Sequence, residues 1–290
     1  MLLLVLLGVV GLSCVAPERD SREVRNSFHK FQLNFDTAVD PGLQGSLEAI
    51  DLELRQRFGM TAEQTAVGLL DLRTSRLAMI HPDRGEYAAS IPKIGILLAW
   101  FHHQPEPAAL TLEIRRELGL MVKASDNEMA AKYSRELGLK EIQGVLDAHG
   151  FYDAQHGGGI WMGKHYGQGG ERYGDPVGDN SHAATVRQLL RFFLLLEQEK
   201  LVSPEASTKM KEIFLSPELP HDEIKFVKGL AGEKVEIMRK WGSWENWLHD
   251  AAVIKGEDRH YILVALTHHP KGDDYLVELV CRVHAMLPGR

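Results

Sequence analysis

A serine and a lysine three residues apart, Ser90 and Lys93, stand at the head of the apolar run Ile94-Gly95-Ile96-Leu97-Leu98-Ala99-Trp100-Phe101. Pro92 suits a first helical turn, where its missing N–H costs nothing, so a helix is expected to begin at Ser90 and run to about His102. Apolar side chains on nearly every side mark that helix as buried, and Lys93 is carried inward with it. Residues three apart share a helix face, which puts the Lys93 amine within reach of the Ser90 hydroxyl. A desolvated lysine loses basicity and becomes a general base, while the free N–H groups of a first turn favour negative charge beside the serine. The chemistry of such a pair is nucleophilic attack by Ser90. Taken alone, the same residues are equally satisfied by a helix cap and a lysine whose head snorkels to water.

Two further groups could share a cleft with this pair. Ser125-Asp126-Asn127 precedes a helix expected from Glu128, where Ser125 and Glu128 have the spacing of a capping box. In a cleft, the Ser125 hydroxyl would relay a proton to a leaving group and the Asn127 amide would hold a substrate carbonyl. Lys240-Trp241-Gly242-Ser243-Trp244 reads as a strand. A glycine inside a strand marks close approach by a ligand or backbone, or else a bulge in an edge strand, and Lys240 beside it could attract a carboxylate.

The elements that must position these groups follow from periodicity. A helix is expected over Leu43–Phe58, then a hairpin of Thr65–Leu72 and Arg76–Ile80 around Arg73-Thr74-Ser75. After the Ser90 helix come helices over Leu110–Met121, Glu128–Leu137 and Lys140–Ala148, with turns at Gly138 and Gly150. Gly157 to Gly178 has no sustained period and reads as a long loop. Helix resumes over Ala183–Lys200, and a charged connection leads to strands over Val235–Trp241, His249–Lys255 and Tyr261–His268 and a last helix, Asp273–Met286. This order predicts an α+β fold: one antiparallel five-stranded sheet assembled from both chain ends, flanked by helices, with an all-helical insert over about residues 90–215.

In this order and context the three groups resemble the S-x-x-K, S-D-N and K-T-G set of class A β-lactamases and penicillin-binding proteins. The resemblance extends to the sheet–insert–sheet layout, to Leu112–Ala131 and Ser181–Leu190, and to the final strands and helix, covering roughly Leu43 to Leu287. It implies that Ser90 is the acylated nucleophile, Lys93 its base and Ser125 the proton shuttle. Asn127 and Lys240 would bind substrate, Gly242 would line the cleft, and the N–H groups of Ser90 and Ser243 would form the oxyanion hole. The substrate implied is a β-lactam or a related amide or ester. A D,D-peptidase- or esterase-like hydrolase acting on cell-wall peptide, and a catalytically silent penicillin-binding-like protein, are the other readings.

The departures bear on turnover. Trp241 replaces the hydroxyl residue usual in the third motif, with Ser243 a partial substitute, and the stretch between Ser90 and Ser125 is short, as if one wall of the cleft were missing. In class A enzymes a glutamate of the long loop activates the water that hydrolyses the acyl-enzyme. Glu171, the sole glutamate between Asp147 and Leu196, is the candidate for that role, although its neighbours do not reproduce the family pattern.

Composition restricts the partners. The chain has 290 residues, 44% hydrophobic and 25% charged, as in ordinary globular proteins, and a net charge of -7 that gives nucleic acid or an anionic membrane surface no average attraction. No cofactor is implied. Gly158–Lys164 has the spacing of a phosphate loop, but His165 stands where a serine or threonine is needed, and no histidine or cysteine spacing supports a metal site. His156, His165 and His182 read as surface or structural residues. Met1–Val10 is apolar and too short to span a bilayer, which reads as part of an export signal. Cys14 after a small residue resembles a lipoprotein processing site, although Gly11 departs from that pattern, so lipidation and simple export both stay open. Residues 1–20 are therefore expected as a signal or lipoprotein-type segment, 21–40 as a tether and 41–290 as the catalytic domain, exported to a periplasmic or extracellular site as a monomer. Cys281 is expected in the core.

Overall fold

The segment from Tyr261 to Leu266 is buried at every residue, because the sheet to which it is central is covered on both faces. The computed structural model describes residues 28–104, 110–167 and 169–287. In chain order these form α1 (Pro41–Phe58), the hairpin of β1 (Thr65–Asp71) and β2 (Arg76–Ile80), the short β3 (Glu86–Tyr87), α2 (Lys93–His103), α3 (Leu112–Lys123), α4 (Asn127–Leu137) and α5 (Leu139–Ala148). Then come β4 (Tyr152–Asp153), β5 (Gly158–Gly159), β6 (Trp161–Met162), β7 (His182–Ala184), α6 (Val186–Glu197), α7 (Pro204–Phe214) and α8 (Lys225–Gly229). The last elements are β8 (Glu236–Trp244), β9 (Trp247–Lys255), β10 (His260–His268) and α9 (Gly272–Met286).

The five-stranded sheet has the order β2-β1-β10-β9-β8, antiparallel throughout, so the expected union of both chain ends is the one that forms. Alternate residues of its strands feed two cores. Val67, Leu69, Leu263 and Ala265 pack with Leu47 and Leu54 of α1 and Leu276 and Val280 of α9. Ala66, Leu70, Ile262 and Val264 face the other way, toward α2, α6 and the rest of the insert. Gly68 lets α6 come this close: a Cβ there would stand 2.4 Å from the Val186 side chain.

Several expectations are corrected. The helix expected from Ser90 begins at Lys93, because Ala89 is left-handed (φ 47°) and Ser90 to Pro92 form turns, with Ile91 N–H donating to Ala88 C=O and Lys93 N–H to Ser90 C=O. The insert is not all-helical. Ala183–Lys200, expected as one helix, opens as β7, since Ala183 and Ala184 pair with Tyr87 and Glu86 of β3, a tertiary partner that outweighs the helix preference of alanine. The stretch read as a charged connection contains α7 and α8. The long loop carries β5, β6 and a bridge between Lys164 and Arg172. Cys281 is exposed rather than in the core, on the outer side of α9, and its thiol donates to Gly229 C=O at 2.9 Å.

The segment expected as a tether meets the domain from residue 28 onward. Leu33 is buried, Gln198 Nε2 donates to the Phe28 and Phe31 carbonyls, and Arg187 donates to that of Asn34. The expected signal or lipoprotein segment, residues 1–20 with Cys14, lies outside the described residues.

Candidate active site

Ser90 is half-buried on the turn that leads into α2, held from three sides. Beneath it Ala89 keeps its left-handed backbone, and the Tyr166 hydroxyl donates to Ala89 C=O at 3.0 Å. Beside it runs β8. A Cβ on Gly242 would stand 2.8 Å from Ala88 O and 3.2 Å from Ser90 N, so glycine is required for the strand to lie against the serine turn. The register from Glu236 to Trp244 is continuous, so this edge strand carries no bulge at Gly242.

Lys93 is fully buried in the first turn of α2. Its amine meets Ser125 C=O, Ser125 Oγ at 3.3 Å and Asn127 Oδ1 at 2.7 Å, and no hydrogen bond joins it to the Ser90 hydroxyl. Ser125 is itself left-handed (φ 57°), a strained conformation that turns its hydroxyl and carbonyl toward the lysine. The cap of α4 is Asp126, whose side chain accepts from Met129 N–H, so Ser125 is released from the capping role its spacing suggested. From the opposite side Lys240, also fully buried, donates to Ser125 Oγ at 2.9 Å.

The electrostatics follow from this burial. Loss of hydration lowers the Lys93 pKa to about 7, against a smaller opposing pull from Asp126. Lys240 is held well below its ordinary value, by burial first and by the Lys93 charge second. With one lysine amine neutral, Ser125 accepts from one side and donates to the other, making a proton path Lys240–Ser125–Lys93. Asn127 spends its carbonyl on Lys93, which leaves its NH2 group for a ligand.

A cleft of about 370 Å³ opens over these groups. Ser90, Asn127 and Ser243 of the expected set line it; Lys93, Ser125 and Lys240 lie beneath. Glu171 is placed elsewhere: it is exposed, accepts from the Tyr173 hydroxyl at 2.6 Å and does not line the cleft. Asp175, the other carboxylate of that loop, accepts from the N–H groups of Val177, Gly178 and Asn180 and organises the loop's own backbone.

Four residues were not singled out from sequence or were given other roles. Tyr166 is buried, with its ring 4.4 Å from Lys93 Nζ, and seals that amine from the loop side. His165 and His182, read as surface or structural residues, both line the cleft. Lys225 is buried behind β8 and donates to Gly242 C=O at 2.7 Å, to Ser243 Oγ at 2.6 Å and to His249 C=O at 3.3 Å. Burial brings its pKa to about 8 against the pull of Asp250 and Asp273. No motif marks these residues, because the contacts that define them span tens of positions.

The beta-lactamase enzyme family model matches residues 103–285, a span that begins after Lys93 and takes in Ser125, Asn127 and Lys240. Similar solved structures include a beta-lactamase from Sphaerobacter thermophilus, at 13% identity and TM-score 0.65 over 85% of this chain and 99% of that one. A class A beta-lactamase from Mycobacterium abscessus shares 16% identity at TM-score 0.66 over 83% and 98% of the two chains. PBP-A shares 16% at TM-score 0.61 over 82% and 95%. No curated protein matches the sequence. At these identities the structures speak for the fold, and the family match, which takes in more than half of the sequence, adds that the chain belongs to the beta-lactamase enzyme family.

Proposed function

We propose that the protein is a serine hydrolase of the class A β-lactamase type, acylated at Ser90 by a β-lactam or a related amide or ester. The observation that carries this reading is the buried Lys93–Ser125–Lys240 chain beneath the cleft-lining Ser90, which follows the left-handed Ala89. Ser90 Oγ attacks the carbonyl carbon and its proton passes to the Lys93 amine, whose pKa of about 7 makes it a base at neutral pH. The oxyanion is received by the N–H groups of Ser90 and Ser243. Ser125 then protonates the leaving nitrogen and is replenished by the adjoining lysines, as Asn127 holds the substrate amide and Lys240 attracts its carboxylate. Incubation with a fluorescent penicillin is expected to label Ser90 covalently. The absence of label on the wild type, or its persistence in Ser90→Ala, would overturn the assignment.

A second reading keeps the nucleophile and makes the natural substrate a cell-wall peptide or an ester. It is favoured by Trp241 in the third motif and by the lack of any aspartate or glutamate among the described residues lining the cleft. Nitrocefin turnover slower than its acylation is the outcome expected of it. The apolar start and Cys14 support export, with lipid anchoring tested by membrane fractionation of Cys14→Ala.

A further inference from the structure

We infer that His165 is the general base that activates the hydrolytic water on acyl-Ser90, held in the required tautomer by Ser134. This rests on the reading that Ser90 is acylated. The geometry starts with Ser134, buried in α4, whose hydroxyl has one proton and can donate it to Ala131 C=O at 3.3 Å. His165 Nδ1 stands 2.8 Å from the same oxygen. When that proton goes to Ala131, Ser134 Oγ accepts from Nδ1–H, and the lone pair of the ring is then on Nε2. That is a base oriented by a third group, in the same cleft as Ser90.

The alternatives in the cleft are occupied. His182 is buried, donates through Nε2 to Lys164 C=O at 2.9 Å and so accepts at Nδ1 from Ser181 Oγ at 3.1 Å, which uses both ring nitrogens. Lys93 lies beneath the cleft and is covered on the loop side by the Tyr166 ring. Glu171 lies outside the lining, yet its charge reaches His165 and favours the imidazolium that forms in the step. Burial first and Arg135 second hold the His165 pKa below its ordinary value, so the ring is neutral and basic at pH 7.

In the step, water oxygen attacks the acyl carbon of the Ser90 ester while one water proton passes to His165 Nε2. The tetrahedral intermediate collapses, the bond from carbon to Ser90 Oγ breaks, and that oxygen takes the proton back from His165. Free serine and a carboxylic acid result.

The test follows label formation and label loss separately, by intact-protein mass spectrometry with penicillin. His165→Ala, on a half-buried side chain, is expected to melt like the wild type and to acylate within about threefold of it, while its acyl-enzyme decays about 100-fold more slowly. Ser134→Ala, which frees the tautomer, is expected to slow decay to a lesser degree at unchanged acylation. Decay of the His165→Ala acyl-enzyme within about threefold of wild type would overturn the inference and leave Ser90 acylation standing, as would a loss of decay in Glu171→Gln alone. No label on the wild type would overturn the underlying reading instead.

Discussion

Lys240 Nζ lies 2.9 Å from Ser125 Oγ, and both groups are buried. Because Lys93 approaches the same oxygen at 3.3 Å, one hydroxyl connects two amines whose charges repel each other. Burial is the first reason the pair cannot hold both protons cheaply, with the Lys93 charge adding to it at Lys240, and burial is what keeps the Lys93 amine basic near neutral pH.

Acylation is therefore expected to depend on pH through Lys93. Below a pH of about 7 the amine takes up a proton and loses its lone pair, so the acylation rate should fall roughly tenfold per unit; above it the rate should level off. Stopped-flow acylation by a penicillin over about pH 5 to 9 measures this, and a flat profile would remove Lys93 as the base.

Gly242 is expected to tolerate no side chain. The nearest atoms to a Cβ, Ala88 O at 2.8 Å and Ser90 N at 3.2 Å, are backbone and cannot swing aside. Gly242→Ala should push β8 from the serine turn, costing about 1–3 kcal/mol of stability and at least about tenfold in acylation. Denaturant unfolding and labelling rates check the two effects separately.

Under the site, Arg239 and Asp250 form an ion pair at 3.1 Å with both side chains fully buried, and Arg239 also donates to the carbonyls of Asp222 and Ile224. Asp250→Ala leaves an uncompensated guanidinium in the sheet and should destabilise by about 3–5 kcal/mol, read from urea midpoints. The change should also loosen Phe226 N–H, which donates to Asp250, and with it α8 and Lys225.

These residues mark the border of what sequence reveals. Ser90, Lys93, Ser125, Asn127 and Lys240 were singled out because three short motifs, each explained as well by a cap or an edge strand when taken alone, stand together in one order, and the structure brings them to one place; the two-period strands and amphipathic helices made the five-stranded sheet legible. What stayed hidden depends on contacts between distant segments. Ala183 and Ala184 look helical until β3 is placed beside them, and Tyr166 looks like loop decoration until its ring is found over Lys93, 73 positions away by number. Cys281 sits among apolar neighbours in sequence but on the outer side of α9, a phase difference that a short window does not resolve. Of the Glu171 expectation, the structure supplies a placement outside the cleft lining and a charge within range of His165.

Lys225 is expected to act as a positioning residue through Ser243. Its amine holds Gly242 C=O and Ser243 Oγ, so Lys225→Met should keep the fold but free the strand end that carries the proposed oxyanion N–H of Ser243. Acylation should drop about tenfold through kcat more than KM. Because burial lowers the Lys225 pKa from 10.5 to about 8, the folded state sheds this proton before the unfolded chain does, and wild-type stability gains from this group as pH rises from about 8 toward 10.5. That alkaline gain should disappear in the methionine variant.

The Tyr166 ring covers Lys93 Nζ at 4.4 Å, and two variants separate the ring from its hydroxyl. Tyr166→Phe keeps the ring over Lys93 and loses the bond to Ala89 C=O, which should cost about 1–3 kcal/mol and slacken the serine turn with no move of the acylation pH profile. Tyr166→Ala opens Lys93 to water. Two effects then compete: losing the ring face removes a cation–π attraction of about 0.5–2 kcal/mol, which by itself lowers the amine pKa. Hydration works in the other direction, and the burial it reverses is the main cause of a fall from 10.5 to about 7, on the order of 5 kcal/mol. Hydration is the larger effect, so the midpoint of the acylation profile should move to higher pH and the rate at neutral pH should fall. A midpoint unchanged in Tyr166→Ala would show that the burial of Lys93 is supplied by the helices around α2 and not by the tyrosine.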